Sequence, residues 1–123
     1  MRYVSGERLT CGLLILLFLT FFAVNVWAED QTEKVIKITA KKFEYSPNEI
    51  RLKKGAPAIL EFTSLDRLHG FNCPDLNIRT DINPGQVSTV RIVPQKAGSY
   101  DFHCDIFCGE GHEDMTGTII VEE

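Results

Sequence analysis

The chain predicts an all-β fold, a small antiparallel β-sandwich of about seven or eight strands with Greek-key connections, and three observations carry that expectation. From Val35 onward, short runs alternate apolar with polar residues. Pro, Gly and Asn interrupt those runs at turn-like intervals, and no stretch holds a helical apolar period for the length of a helix. Ile36, Ile38 and Ala40 alternate with charged or polar neighbours, and Phe43 to Ile50 bends at Ser46-Pro47-Asn48, which predicts two strands and a turn. Glu49 to Lys53 runs into a Lys54-Gly55 turn, and Ala58 to Ser64 supplies the next strand. Val87, Val90 and Ile92 fall in a strand opened by Asn83-Pro84-Gly85. Lys96-Ala97-Gly98 turns the chain into Gly98 to His103, and Gly117 to Val121 closes the set.

Ahead of these strands lies a different kind of segment. Arg2 and Arg8 precede or open an apolar run, Leu9 to Ala28, broken only by Thr10, Thr20 and Asn25, the pattern of an export signal. Val26 and Ala28 stand at the −3 and −1 positions of a cut before the polar Glu29-Asp30-Gln31-Thr32-Glu33, so cleavage after Ala28 is expected. A run of about 20 residues is also long enough to span a bilayer as an uncleaved anchor through 9–28. Both readings place the rest of the chain in the periplasm or otherwise outside the cytoplasm. The expected division is a signal or anchor over 1–28, a linker over 29–34 and one β domain over 35–123. Cys11 reads as a small hydrophobe within the leader.

Composition narrows the function. With 44% hydrophobic and 24% charged residues the chain has the material for an ordinary buried core. Without its first 28 residues the charge falls from −4 to about −5, which argues against nucleic acid and allows a basic protein partner. No glycine-rich nucleotide fingerprint is present in a folded part of roughly 95 residues, so a binding or carrier module is expected rather than an enzyme.

The chemistry concentrates in Cys104-Asp105-Ile106-Phe107-Cys108-Gly109-Glu110-Gly111-His112-Glu113-Asp114-Met115, with His69 upstream in Leu68-His69-Gly70-Phe71. Thiols, imidazoles and a thioether suit copper or zinc and suit calcium or magnesium badly. An amphipathic helix would also explain the spacing, but Gly109 and Gly111 would each weaken it by about 1 kcal/mol relative to alanine. A loop between two strands fits better. A Cys104–Cys108 disulfide suits an oxidising compartment yet leaves His69, His112 and Met115 unexplained, and a zinc site of two Cys and two His has no need of Met115. Along the preceding strand Tyr100, Phe102 and Cys104 share one face, so Cys104 points inward, while Asp101 and His103 face away and His103 is not expected to ligate. Cys73 reads first as a buried small hydrophobe and, more sharply, as a redox-active thiol or transient copper contact.

Cys-x3-Cys-x3-His-x2-Met with a distant His-Gly-Phe resembles the binuclear copper centre, CuA, of cytochrome c oxidase subunit II and nitrous oxide reductase, carried on a cupredoxin fold. The resemblance runs from about Ala58 to Val121 and takes in Arg79-Thr80-Asp81-Ile82-Asn83-Pro84-Gly85, Ala97-Gly98-Ser99-Tyr100 and Met115-Thr116-Gly117-Thr118-Ile119-Ile120-Val121. It implies that Cys104 and Cys108 bridge two copper ions and that His69 and His112 bind one each. Met115 and the backbone carbonyl of Ile106 would then be weak ligands. It further implies electron transfer with a redox protein such as a c-type cytochrome or a membrane oxidase. Two departures stand out: subunit II ordinarily carries two membrane helices where this chain has one apolar segment, and Trp27 lies in the leader, leaving no tryptophan for an aromatic electron-entry surface. A mononuclear blue-copper site of His69, Cys108, His112 and Met115 is the alternative that Cys104 distinguishes, and copper delivery to an oxidase during assembly is the alternative function. Asp101, Asp105, Glu110, Glu113 and Asp114 crowd the loop, either as a solvated face or to steer a basic partner.

Overall fold

The computed structural model describes residues 32–123, so the expected signal or anchor segment and the first half of the linker lie outside the described residues. Nine strands follow in order: β1 (Lys34–Lys41), β2 (Glu44–Ser46), β3 (Glu49–Lys53), β4 (Ala58–Ser64), β5 (His69–Cys73), β6 (Ile78–Ile82), β7 (Ser88–Ile92), β8 (Gly98–His103) and β9 (Thr116–Glu122). They form a four-stranded sheet, β2-β1-β4-β7, and a five-stranded sheet, β3-β9-β8-β5-β6. No helix among the described residues is long and apolar enough to cross a membrane.

Period-two patterning sets the inner faces. Ile50 and Leu52 of β3, Ala58, Leu60 and Phe62 of β4, and Ile119 and Val121 of β9 are buried, while Glu49, Arg51 and Lys53 point to solvent. Between the sheets sits an aromatic cluster: Phe71 lies 4.5 Å from Phe62 and 4.6 Å from Phe102 by ring centroids, and Tyr45 meets Phe102 edge-on at 5.1 Å. Such pairs add about 0.5–1.5 kcal/mol each beyond the area they bury.

The sheets are mixed rather than wholly antiparallel as expected. β1 pairs in parallel with β4, from Lys34 opposite Ala58 to Ala40 opposite Ser64, and β3 pairs in parallel with β9. The chain leaves β1 through β2, crosses to the other sheet as β3 and returns as β4, so β1 and β4 run the same way. Alternation is identical in parallel and antiparallel neighbours, and the sequence pattern does not distinguish them. Two strands escaped the reading. β5 buries His69, Gly70, Phe71 and Cys73, which erases alternation, and β6 carries polar Thr80 between Ile78 and Ile82. Val87 precedes β7 and is 61% exposed, because it has the parity of the outward Thr89 and Arg91.

Direction decides where the loops gather. β1, β4 and β8 end, and β2, β5 and β9 begin, at one pole of the sandwich, as their pairings require. The β1–β2 turn, the 65–68 loop and the long 104–115 loop therefore share that pole. β9 is locked there by Gly117, where a side chain would collide with the Phe102 ring and the Asn48 carbonyl. Gly117→Ala is expected to destabilise the fold by about 2–3 kcal/mol, read as a lower denaturant midpoint at unchanged slope.

Candidate metal centre

His69, Cys104 and Met115 are delivered by strand ends, and Cys108 and His112 by the loop between β8 and β9. His69 opens β5 and is fully buried; Cys104 follows β8 and continues the inward parity of Phe102. Asn72 stands opposite His103 across these neighbouring strands, so His69 and Cys104 meet at the same rim. Met115, also fully buried, ends the loop just before β9, and its carbonyl accepts from Cys104 N–H at 3.1 Å to close the loop's base. His103 and Asp101 are exposed, as the strand parity requires.

The connecting segment is a loop with a single 3-10 turn at His112–Asp114, not a longer helix. Gly109 and Gly111 have φ of +134° and +99° and pack on the ring of Phe43, which a Cβ at Gly111 would approach to 3.0 Å. Both the backbone conformation and the close contact need glycine there.

At the centre, a ring nitrogen of His69 and the sulfurs of Cys104 and Cys108 lie within 4.8 Å of one another. His69 Nε2 is 2.6 Å from Asp66 Oδ1, whereas its Nδ1 is buried with no hydrogen-bond partner. An orphaned buried nitrogen is unfavourable unless something else binds it. Gly70 N–H donates to Cys104 Sγ at 3.3 Å, the Cys104 thiol donates to the Ile106 carbonyl at 3.2 Å, and His112 Nδ1 lies 3.5 Å from Cys108 Sγ. Burial, and then the neighbouring Cys104, push the Cys108 thiol up. A bound cation reverses that preference, because it stabilises the thiolate directly. The Tyr45 hydroxyl is pushed far up by burial and by Cys104, and stays a neutral donor to the Gly70 carbonyl.

Several structural partners were not anticipated from the sequence. Burial opposes ionisation of Asp66, but hydrogen bonds from Lys42 N–H, His69 and Arg67 N–H outweigh it and hold its pKa down to about 2. Arg67 donates to the Cys108 carbonyl at 2.9 Å. Asp105 takes two bonds from Arg79, at 2.9 and 3.0 Å, and fills the space above Gly70 where a side chain would otherwise stand. Of these only Asp66, three residues before His69, carried a local signal. Cys73 is a wholly buried core residue whose thiol burial pushes up, and it lies four residues along β5 from His69, about 13 Å at strand rise. That supports its reading as a small hydrophobe.

Residues 13–121 match the family described as Cupredoxin-like domain. The chain belongs to that family. This cupredoxin-like domain is 41% identical over 88 residues to cytochrome c oxidase subunit 2 of Thermus thermophilus, covering 72% of the chain and 65% of that subunit. It is 35% identical over 91 residues to nitrous-oxide reductase of Cupriavidus necator, covering 71% of the chain and 14% of the reductase. The cupredoxin-like chain thus spans less than two thirds of either relative's length. Among solved structures it is similar to a chain of a heme-copper terminal oxidase dimer, with a TM-score of 0.66, 28% identity and coverage of 96% of this chain and 100% of that one.

The Asp105–Arg79 pair makes a pH prediction. Arg79 holds the Asp105 carboxyl below the ordinary 3.8. Its stabilising contribution is therefore complete above that pH and disappears as pH falls through the depressed folded value. Both partners are partly solvent-exposed, so Arg79→Ala is expected to lose about 1 kcal/mol or less at neutral pH. That difference from the unaltered protein should shrink in denaturation series as pH falls below the ordinary 3.8 and vanish below the depressed folded value.

Proposed function

We propose that this domain is an extracytoplasmic electron carrier that holds copper in a CuA-like binuclear centre. In this reading Cys104, Cys108, His69 and His112 would hold the copper, with Met115 and the Ile106 carbonyl as weaker donors. One observation carries most of the weight: two buried thiols converge on an imidazole whose Nδ1 has no other partner. The donor set fits the group, since soft sulfur with imidazole suits copper, and the buried thioether of Met115 is a donor that zinc does not need. When bound, a copper pair bridged by two thiolates shares one electron, so the charge change of a redox step is spread over both metals.

The polypeptide contributes rigidity. Asp66 holds His69, Phe43 seats the glycines of the loop, and Arg67 fixes the Cys108 carbonyl, so the ligating atoms have little freedom to move between oxidation states. Burial of His69, Cys104, Cys108 and Met115 leaves only the partly buried His112 within reach of a receiving protein, which disfavours copper delivery. Five side chains and a carbonyl leave no position for a substrate, which supports a carrier without catalysis of its own.

The surface above the loop suits a redox partner. Phe107 is 74% exposed and its ring centroid lies 5.8 Å from that of His112; Leu65 and Leu68 are exposed on the neighbouring loop. Glu110, Glu113 and Asp114 are exposed and form no ion pair among the described residues. A redox partner such as a basic c-type cytochrome or a membrane oxidase fits this combination.

Copper loading tests the reading. Two coppers per chain, a purple colour and electron paramagnetic resonance hyperfine coupling to two equivalent nuclei are expected. Coupling to one nucleus with a blue colour would establish a mononuclear site without Cys104, and a colourless protein retaining only cuprous ion would favour delivery. Cys108→Ser should abolish the purple species. Uptake should weaken toward acid pH, because the thiols and imidazoles must lose protons. Electron exchange with a basic cytochrome should slow as ionic strength rises, within the 10- to 1,000-fold range of electrostatic steering, and a rate independent of salt would remove the docking role of the acidic residues.

A further inference from the structure

We propose that Arg79 is a positioning residue for the metal centre: with Asp105 it forms a clamp across β5 that fixes the direction of the Ile106 carbonyl. The consequence for copper rests on the function proposed above; the hold on the metal-free loop does not. β8 pairs with β5 at His103 and Asn72, and the chain turns into the loop directly afterwards. Arg79 stands on β6, on the far side of β5 from that loop, and reaches over β5 to place Nε 2.9 Å from Asp105 Oδ2 and Nη2 3.0 Å from Oδ1. Its Nη1 donates to Asp81, two residues on, so the guanidinium is itself held between two carboxylates. Two parallel bonds to one carboxylate fix a direction, which a single point charge does not.

The crossing requires Gly70 on β5, where a Cβ would collide with the Asp105 carboxylate and crowd the Ile106 side chain. Gly70 N–H in turn donates to Cys104 Sγ at 3.3 Å, and the Ile106 carbonyl lies 3.2 Å from the same sulfur. Three consecutive residues are thus pinned from β5 and β6: Cys104 by the Gly70 amide, Asp105 by Arg79 and Ile106 by packing over Gly70. Rotation of the peptide after Ile106 would swing its carbonyl away from the sulfur, and the clamp opposes that rotation. The Arg79 and Asp105 side chains are 43% and 26% exposed, so the pair adds little stability and acts through direction.

The Phe107 N–H belongs to the same peptide as the Ile106 carbonyl, so in metal-free, 15N-labelled protein its amide signal reports the carbonyl's direction, and the Gly70 signal reports the Cys104 sulfur. Arg79→Ala should displace or broaden both signals, whereas Arg51→Ala, which breaks the exposed Arg51–Glu122 pair on β3, should leave them in place. Copper-loaded Arg79→Ala and Asp105→Ala should both keep two coppers and show hyperfine coupling that is no longer equal for the two nuclei. A through-space effect of charge would move the reduction potential of these two variants in opposite directions and leave the coupling equal. Unmoved Phe107 and Gly70 signals in Arg79→Ala, or equal coupling in both loaded variants, overturns the proposal. Should Arg79→Ala not fold, Arg79→Lys keeps the charge without the fork and must move the same two signals, and their staying in place overturns it. Failure of the unaltered chain to take two coppers would sink the proposed function and leave the amide signals to decide the clamp.

Discussion

Two thiols and an imidazole nitrogen without a hydrogen-bond partner, packed at the rim of an apolar sandwich, are a poor choice for stability alone. Each buried polar atom left without a partner costs roughly 1–3 kcal/mol, and two neighbouring thiols in a low-dielectric setting resist ionisation. The arrangement persists because contacts around it leave few alternatives. β5 and β8 are adjacent in one sheet, so their ends deliver His69 and Cys104 to the same place. The ring of Phe43 then blocks any loop path that would put side chains at Gly109 or Gly111. Asp66, Arg67 and the Arg79–Asp105 pair tie the remaining freedom to backbone elsewhere. The sandwich is best understood as the device that keeps this costly constellation assembled.

The parts of the structure visible in the sequence are those governed by local rules. β1, β3, β4, β8 and β9 have one buried and one wet face, and alternation announces them. Gly109 and Gly111 signal a loop because glycine's helix penalty is intrinsic to the residue. Inward parity along β8 foretells that Cys104 is buried and His103 is not. β5 is hidden for the opposite reason: with both faces covered it has no alternating signature, although it carries His69. Parallel pairing of β1 with β4 depends on which sheet the chain crosses to, and no local pattern records that choice.

Partners distant in sequence were equally invisible. Phe43 reaches Gly109 and Gly111 from the β1–β2 turn, and Arg79 reaches Asp105 from β6, so neither contact has a sequence spacing that points to it. The acidic loop illustrates the effect. Read along the chain, Asp101, Asp105, Glu110, Glu113 and Asp114 form a single negative cluster. Folded, Asp105 is neutralised by Arg79, whereas Asp101, Glu110, Glu113 and Asp114 form no ion pair among the described residues and keep their charge for action at a distance.

Rigidity and accessibility make opposite demands at such a site, and the structure separates them by residue. The thiols, His69 and Met115 are sequestered, which keeps water out and holds geometry constant. His112 is only partly buried, and the exposed ring of Phe107 stands beside it on the same loop. Contact with another protein can therefore be made by Phe107 and the margin of His112 without loosening the buried atoms behind them. The absence of tryptophan after Trp27 does not deprive the described surface of an exposed aromatic side chain, since Phe107 stands exposed between the two cysteines. Exposing a large apolar ring carries an aggregation liability, and the three unpaired acidic side chains beyond it limit that liability by disfavouring approach of another copy of the same acidic chain. The same charge that would favour a basic partner thus also keeps like surfaces apart.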